Sequence, residues 1–590
     1  MINRFIRHDK DIISRFLKSQ FSCQCRHASR YSSKIKIKSS RLKSQKTTKS
    51  NKDSNGSPTS PPTKSDSNKS RIFETGKFSQ LYNSLKSTNT QDPSLQISKI
   101  NDFNQLKIFP SVREAMIKEI KSQYNLKGPQ YSSIDQIEIK PTPIQVAAIK
   151  KINQTRSITP ASPNLDEMEE GERILYELKN ENESKKTKVF TISSETGSGK
   201  TWSYLSVLLS KLKEDDLNWF KTKPEKYEAF KKSQQIRSII MVPTNELVDQ
   251  IYETLHRANK FSLEHENVNK KYIDFLNLPE NESLGFSIMK LSQGDPSISL
   301  YKQLKNYGKI DILVTTPAKF TSLSKIESVD RPFKIFKSVK YCILDESDTL
   351  FDPSFIKDTT SVVKNFPNLL DLILVSATIP KEFEKQLKIL FPEEKSIIRI
   401  STPGLHKIPK KIKIFTLDSD LQPYNGSKVR CLAQTIYAIS KDGTEPDQTK
   451  RIIIFVNSKD EVDELVETLK DKYSINEEDI FGISSTKKVQ DRKDILSPFL
   501  KPAQPINDSN KSKINILVTT DLLSRGLNFS GIKNIILMGL PRNSIDLVHR
   551  IGRTGRMNQS GRVFIIVDKK SKKSWVKGLG NAIIKGLKIG

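Results

Sequence analysis

Short apolar runs punctuate this chain, separated by stretches of helical periodicity. Val189, Phe190 and Ile192, then Ile239–Val242, Ile312–Val314, Tyr341–Leu344 and Leu372–Val375, form one series. Ile452–Val456, Ile516–Val518, Ile535–Leu537 and Val563–Val567 form a second. Runs with apolar residues at consecutive positions are buried on both faces. Their alternation with helical stretches predicts parallel α/β sheets. Between the two series, Pro403, Gly404 and Pro409 break the pattern and predict an interdomain linker. The fold class is therefore α/β, with two domains in tandem. Upstream, Phe103, Leu106, Ile108, Val112, Met116 and Ile120 predict a helical face, so order is expected to begin near Ile100. Residues 151–187 carry eight acidic residues between core elements and predict a surface insertion.

The start of the chain patterns differently. Arg4, Arg7 and Arg15 alternate with Phe5, Ile6, Ile12, Ile13, Phe16 and Leu17, which suits a basic amphipathic helix, and Ser and Lys dominate afterwards. Residues 1–50 hold fourteen Lys or Arg against two Asp. Arg-rich, Ser-rich and acid-poor is the composition of a mitochondrial transit peptide. Ser29-Arg30-Tyr31-Ser32-Ser33 resembles a matrix-protease site with Arg just before the cut. A basic arm that grips RNA is the competing reading; the composition favours targeting to the mitochondrial matrix. Residues 44–70 have almost nothing to bury and are expected to be disordered. The expected organisation is a transit peptide over 1–31, a disordered basic linker over 32–99, a first domain over 100–400 with its acidic insertion at 151–187, a linker over 401–410, and a second domain over 411–590.

Charge adds a partner class. The 590 residues carry a net charge of +31, of which the first fifty supply +12, so the body is basic too and suits a polyanion such as nucleic acid. Cys23, Cys25, Cys342 and Cys431 make no metal or disulfide framework, which suits a reducing compartment. No apolar run approaches the ~20 residues of a membrane span.

The chemistry begins at Lys188–Thr201. A strand ends in Ser194-Glu195-Thr196-Gly197-Ser198-Gly199, and Lys200 and Thr201 open a helix through Trp202, Tyr204, Leu205, Leu208 and Leu212. Glycines let the turn bring its N–H groups close to a ligand. Strand, glycine turn, Lys-Thr and helix make the phosphate cradle of an NTPase. Lys200 reaches the β- and γ-phosphates and the Thr201 hydroxyl ligates Mg²⁺. A surface turn is the bland alternative. At the end of the apolar run Tyr341–Leu344, Asp345 can hold the Mg²⁺ shell and Glu346 can act as general base on water. Ser376-Ala377-Thr378 follows another strand, where hydroxyls could relay between domains; a loop cap is the alternative. In His549-Arg550-Ile-Gly-Arg553-Thr-Gly-Arg556, glycines argue against an ordinary helix face. Arginines from a second domain can stabilise charge on a transferring phosphoryl group, or else form a patch for an RNA backbone.

These motifs together resemble those of the DEAD-box ATP-dependent RNA helicases of helicase superfamily two, from about Phe103 to about Val567. Pro141-Thr-Pro-Ile-Gln145 resembles the adenine-recognition motif, Ser194–Thr201 the A-x-T-G-S-G-K-T cradle, and Asp345-Glu-Ser-Asp348 the D-E-A-D signature. Pro243-Thr-Asn-Glu-Leu247 resembles P-T-R-E-L, Thr316-Pro-Ala-Lys319 resembles T-P-G-R, and Ser376–Thr378 is the family's S-A-T. Thr520–Asn528 is similar to the fifth motif, and His549–Arg556 to the sixth.

The resemblance implies two RecA-like domains that close on ATP, Mg²⁺ and single-stranded RNA. It implies that Gln145 reads adenine, that Asn528 contacts the ribose, and that Arg553 and Arg556 are the fingers. Ser376, Thr378, Asp348 and His549 would couple the domains. Pro243, Thr244, Gly294, Thr316 and Thr520 would touch RNA. Phe103 would be the aromatic that stacks on adenine. Asn245 and Lys319 stand where the family has arginine, so the grip on RNA in the first domain is expected to differ. Asn528 replaces an aspartate, and Ser347 an alanine.

The architecture is also similar to that of the fungal mitochondrial RNA helicases that assemble the large mitoribosomal subunit. That implies mitochondrial rRNA within pre-ribosomal particles as partner, for a monomeric enzyme. The proline-containing linker leads to an expected resting arrangement with the domains apart. A static RNA clamp and a DNA-directed motor are the rival functions. The intact set Lys200, Asp345, Glu346, Arg553 and Arg556 speaks against the first, and the adenine and D-E-x-D motifs against the second.

Overall fold

The structure is a computed structural model that describes residues 71–72, 100–123, 138–154, 186–264, 269–326, 332–392, 397–402, 408–409, 411–445, 448–484, 487, 489–500, 514–521, 527, 529, 531–541, 544–555, 559–569, 579 and 588–589. All of them belong to the compact unit Ser67–Gly590. The expected transit peptide at 1–31, nearly all of the expected linker at 32–99, and residues 155–185 of the expected acidic insertion lie outside the described residues.

Two parallel sheets organise the chain. The first contains β2 (Lys188–Ser193), β3 (Ile236–Met241), β4 (Ile288–Leu291), β5 (Ile310–Thr315), β6 (Tyr341–Asp345), β7 (Asp371–Ser376) and β8 (Ile397–Ser401), in the order β4-β5-β3-β6-β7-β2-β8. The second contains β9 (Ile412–Asp418), β10 (Lys450–Phe455), β11 (Ile480–Ile483), β12 (Ile514–Thr519), β13 (Asn534–Leu537) and β14 (Gly561–Val567), in the order β11-β12-β10-β13-β14-β9. All neighbours pair in parallel. A separate two-residue pairing joins β1 (Arg71–Ile72) to β15 (Lys588–Ile589). This is the tandem RecA-like arrangement.

Alternate residues of each central strand feed opposite cores, as expected for sheets covered on both faces. On β2 and β6, Phe190 and Ile343 enter one core while Val189, Cys342 and Leu344 enter another. On β10, Ile453 and Phe455 separate from Ile452 and Ile454 in the same way.

The sequence pattern marked every central strand and overlooked β4, β8, β9 and β11, which are the four edges. Three of these edges are covered less completely, so their apolar signal is diluted, whereas β11 is mostly buried but only four residues long and interrupted by Gly482. Lys413 on β9 and Arg399 on β8 are exposed, and three of the four residues of β4 are only half-buried.

The predicted helical face over 103–120 is split. A single 3₁₀ turn at Phe103–Gln105, capped by Asp102, is followed by extended chain and then by α1 (Pro110–Ser122). Pro110 has no N–H to donate and disfavours helix before it, so it starts α1 instead of continuing one. Next, α2 (Pro143–Gln154) runs four residues into the predicted acidic insertion, and Ile152 is fully buried. Lys200–Thr222 forms α3 and Asn245–Lys260 forms α4. Glu119 on α1 ties these helices together, accepting from Trp202 Nε1 at 2.9 Å and Arg257 at 3.0 Å.

Beneath the first sheet lies a buried charge network. Arg237 meets Asp311 at 2.7 Å and Asp216 at 2.8 Å, and Lys309 meets Asp311 at 3.2 Å. Among the described residues no helix is long and apolar enough to cross a membrane. Cys342 and Cys431 are buried free thiols.

Candidate active site

In parallel α/β sheets the loops beyond the strands' carboxyl ends form the ligand crevice. Strand order divides that edge of the first sheet. The loops after β2, β6 and β7 carry Ser194–Thr201, Asp345–Asp348 and Ser376–Thr378. The loops after β4, β5 and β3 carry Gly294, Thr316, and Pro243 with Thr244. The residues expected at ATP and those expected at RNA therefore occupy adjacent halves of one edge.

In the ATP half, Gly199 has φ +89°, and a Cβ there would lie 2.9 Å from Gln145 Nε2. Glycine is thus required both by conformation and by the approach of Gln145. The Gln145 amide donates to the Gly199 carbonyl at 3.3 Å and accepts from Thr142 N at 2.9 Å. Lys200 Nζ donates to the carbonyls of Ser194 and Glu195, at 3.0 and 2.9 Å, so the ammonium lies inside the loop. Ser198 Oγ closes that loop onto Glu195 O and contacts Ser194 Oγ.

Registry brings the other carriers alongside. Ser193 pairs with Ser376, and Asp345 with Val375. Asp345 Oδ1 accepts from the Glu346 amide at 2.9 Å, and Oδ2 from the Tyr204 hydroxyl at 2.9 Å. Burial, with Glu346 adding to it, pushes the Asp345 carboxyl up to about 7, against the hydrogen bonds and the Lys200 charge that lower it. Glu346 adopts a left-handed backbone with φ 50°, a conformation that costs a non-glycine residue energy and clusters at functional sites. Its Oε2 is buried without a hydrogen-bond partner.

The second lobe meets the first through α5 (Val489–Leu500) and α6 (Ser544–Ile551), of which α6 reaches this site. His549 Nε2 lies 3.0 Å from Asp348 Oδ2, and Thr378 Oγ1 donates to the same oxygen. Ser376 Oγ accepts from Thr378 N at 3.1 Å and so shapes that turn. Gly552 packs on the cradle; a Cβ there would lie 2.1 Å from Thr196 Oγ1. Arg492 meets Glu246 at 3.1 Å, and Lys493 meets Asp249 at 2.9 Å. The lobes are thus in contact, where the linker had led to an expected open arrangement.

Arg553 is buried and donates to the carbonyls of His549 and Leu527 within its own lobe. Arg550 grips both oxygens of Asp521, at 2.6 and 2.8 Å, and also Asn457, which commits it to the second lobe's interior. Arg556, Asn528 and residues 403–407 and 410 of the linker lie outside the described residues. Phe103 is 1% exposed in the core, so its ring has no face open to a base.

In the RNA half, Thr244 and Thr316 cap helices, accepting from Leu247 N and Lys319 N. Gly294 has φ +101°. The two departures from arginine converge on its loop. Asn245 Oδ1 accepts from Gln293 N at 2.8 Å, and Lys319 Nζ donates to Asp295 O at 2.6 Å. Thr520 follows β12 on the second sheet.

Sequence reasoning missed Tyr204, Asn457 and the pairs Arg492–Glu246 and Lys493–Asp249. Tyr204 carried a signal only as an apolar helix position; its hydroxyl partner lies 141 residues away.

Both lobes are similar to known protein families. The DEAD/DEAH box helicase family matches residues 142–386, and the helicase conserved C-terminal domain matches 427–558. The mitochondrial ATP-dependent RNA helicase MRH4 of Lodderomyces elongisporus is 68% identical over 522 residues, covering 88% of this chain and 86% of that protein. The Candida albicans protein of that name is 62% identical over 521 residues (88% and 93%). The Saccharomyces cerevisiae protein is 37% identical over 552 residues (87% and 87%). Among solved structures, the DEAD-box helicase Mss116 bound to ssRNA and UDP-BeF has a TM-score of 0.52 at 16% identity, covering 82% of this chain and 76% of its own. S. cerevisiae Dbp5 bound to RNA and ADP BeF3 has a TM-score of 0.53 at 17% identity (82% and 93%). These two likenesses are of fold. With two family matches along its sheets and relatives aligned over most of its length, the chain belongs to the DEAD/DEAH box helicase family.

Proposed function

We propose that this protein is an ATP-dependent RNA helicase of the mitochondrial matrix. It would act as a monomer to remodel ribosomal RNA in pre-ribosomal particles during assembly of the large mitoribosomal subunit. The relatives named as mitochondrial ATP-dependent RNA helicases support the activity and the compartment. The observation that carries the reading is the pairing of His549 with Asp348, because it joins the hydrolytic edge of one lobe to the arginine motif of the other.

Lys200, already among carbonyls of the cradle, would turn to the β- and γ-phosphates, and the amides of Glu195–Gly199 would hold their oxygens. Gln145 would read adenine and Asn528 the ribose. The Glu346 oxygen without a partner is suited to take the proton of the attacking water. The oxygens of Thr201 and Asp345 are the hard donors a magnesium ion prefers, and the orphaned oxygen nearby fits its hydration shell. Bound Mg²⁺ would supply neutralisation of charge on the phosphate oxygens. Arg553, on turning from the carbonyls of His549 and Leu527, and Arg556 would answer the charge that develops on the transferring phosphoryl group. RNA would lie across Pro243, Thr244, Gly294 and Thr316 on one lobe and Thr520 on the other. Binding both lobes favours the arrangement in which they meet.

The test is ATP hydrolysis by the purified chain with RNA, with DNA, and with neither, for the wild type, Lys200→Ala and Glu346→Gln. RNA-specific stimulation that both substitutions abolish is expected, with Glu346→Gln still trapping ATP and RNA. A wild type with no turnover above that of the two variants would exclude the enzyme and leave the static clamp. Equal stimulation by DNA would favour the DNA motor.

A further inference from the structure

Asp345 is held by two donors, and one of them comes from the cradle's own helix. Tyr204 stands three residues after Thr201 on α3, so the two hydroxyls project from neighbouring positions of one helix face. The Tyr204 side chain is 0% exposed, and its hydroxyl donates to Asp345 Oδ2 at 2.9 Å. The other oxygen, Oδ1, takes the Glu346 amide at 2.9 Å. A carboxylate held at both oxygens cannot swing about its Cβ–Cγ bond without breaking a bond to a charged acceptor. A phenylalanine would fill the same core volume. The hydroxyl, by contrast, would be a buried polar group without purpose unless its partner needed it.

We infer that Tyr204 is a positioning residue for the active carboxylate: its hydroxyl fixes Asp345 so that the free lone pairs of the carboxylate face nucleotide-bound Mg²⁺ in one orientation. The inference rests on the proposed role of Asp345 as the metal-side carboxylate. It assigns to this helix a second hydroxyl, one that touches neither metal nor nucleotide and acts through Asp345. A carboxylate free to rotate still binds the ion but spends part of the binding energy on being ordered.

The experiment uses the purified full chain and a fluorescent ADP, titrated with Mg²⁺ in wild type, Tyr204→Phe, Asp345→Asn and the double variant. Tyr204→Phe removes one oxygen atom, and its thermal transition without Mg²⁺ reports whether the fold is kept. The expected result is an unchanged nucleotide affinity without Mg²⁺ and a Mg²⁺ half-saturation raised about ten-fold, the size of one hydrogen bond to a charged group. In Asp345→Asn the Mg²⁺ enhancement is lost, and adding Tyr204→Phe to it changes nothing further. Half-saturation equal in wild type and Tyr204→Phe would overturn the inference, leaving Tyr204 as core packing. Full Mg²⁺ enhancement in Asp345→Asn would instead overturn the role of Asp345 itself. A shift in Tyr204→Phe that persists undiminished in the Asp345→Asn background would also refute positioning through that carboxylate.

Discussion

His549 Nε2 lies 3.0 Å from Asp348 Oδ2, although the two residues stand 201 positions apart and belong to different lobes. The same carboxylate oxygen accepts from Thr378, so one atom gathers the strand end of β6, the turn after β7 and helix α6. A buried acceptor held by two donors from separate elements reports whether both are in place. His549→Ala and Asp348→Asn are each expected to lower RNA-stimulated ATP hydrolysis on the order of thirty- to a hundred-fold, the equivalent of about 2–3 kcal/mol. Nucleotide affinity without RNA is expected to stay within a few-fold. Hydrolysis rates with and without RNA, alongside nucleotide binding, check this; equal losses in both would mean that the pair serves binding and not coupling.

The ion pair Arg492–Glu246 joins α5 to the start of α4, and both side chains are buried. Reversing one partner leaves two like charges buried face to face. Arg492→Glu is therefore expected to weaken RNA binding in the presence of a non-hydrolysable ATP analogue by tenfold or more, with little effect in its absence. The swap Arg492→Glu with Glu246→Arg is expected to recover most of that loss. A swap as impaired as the single variant would mean that these positions do not act as a pair across the lobes.

Arg237 is the cation between Asp216 and Asp311 beneath the first sheet. Its removal strands two buried carboxylates that Lys309 and the nearby Lys213 would have to balance. Arg237→Met is expected to destabilise the first lobe by about 3–5 kcal/mol, the usual cost of breaking a buried pair. Denaturant unfolding followed by the fluorescence of Trp202 and Trp219, both in that lobe, measures it. A change below about 1 kcal/mol would mean that the network contributes little beyond packing.

The basic start of the chain makes a separate prediction. Residues 1–31, rich in arginine and poor in acid, are expected to direct import into mitochondria and to be cleaved after entry. A fluorescent reporter fused to residues 1–70 is expected in the matrix, shortened at its N-terminus. A cytosolic or nuclear reporter would favour the RNA-gripping arm instead.

Much of this protein was determined by the sequence itself, because the signals involved are local. Consecutive apolar residues such as Ile452–Phe455, set between helical stretches, mark a strand covered on both faces, and Gly199 before Lys200 and Thr201, between a strand and a helix, marks a turn that can receive an anion. Those signals mark the central strands and the motif residues wherever the chain later carries them. The edges β4, β8 and β9 left no such mark, since half-buried strands tolerate Lys413 and Arg399, and β11, though mostly buried, is four residues long and interrupted by Gly482.

Only tertiary structure decided what lies beside what. The order β4-β5-β3-β6-β7-β2-β8 separates the Gly294 and Thr316 loops from the cradle on one sheet edge. The same long-range packing turns Arg550 inward to Asp521, buries Phe103, and brings Tyr204 to Asp345 and His549 to Asp348. Sequence period and turn chemistry act over a few residues. These contacts span from 29 to 201 positions and are selected by burial and charge pairing that only the assembled sheets create.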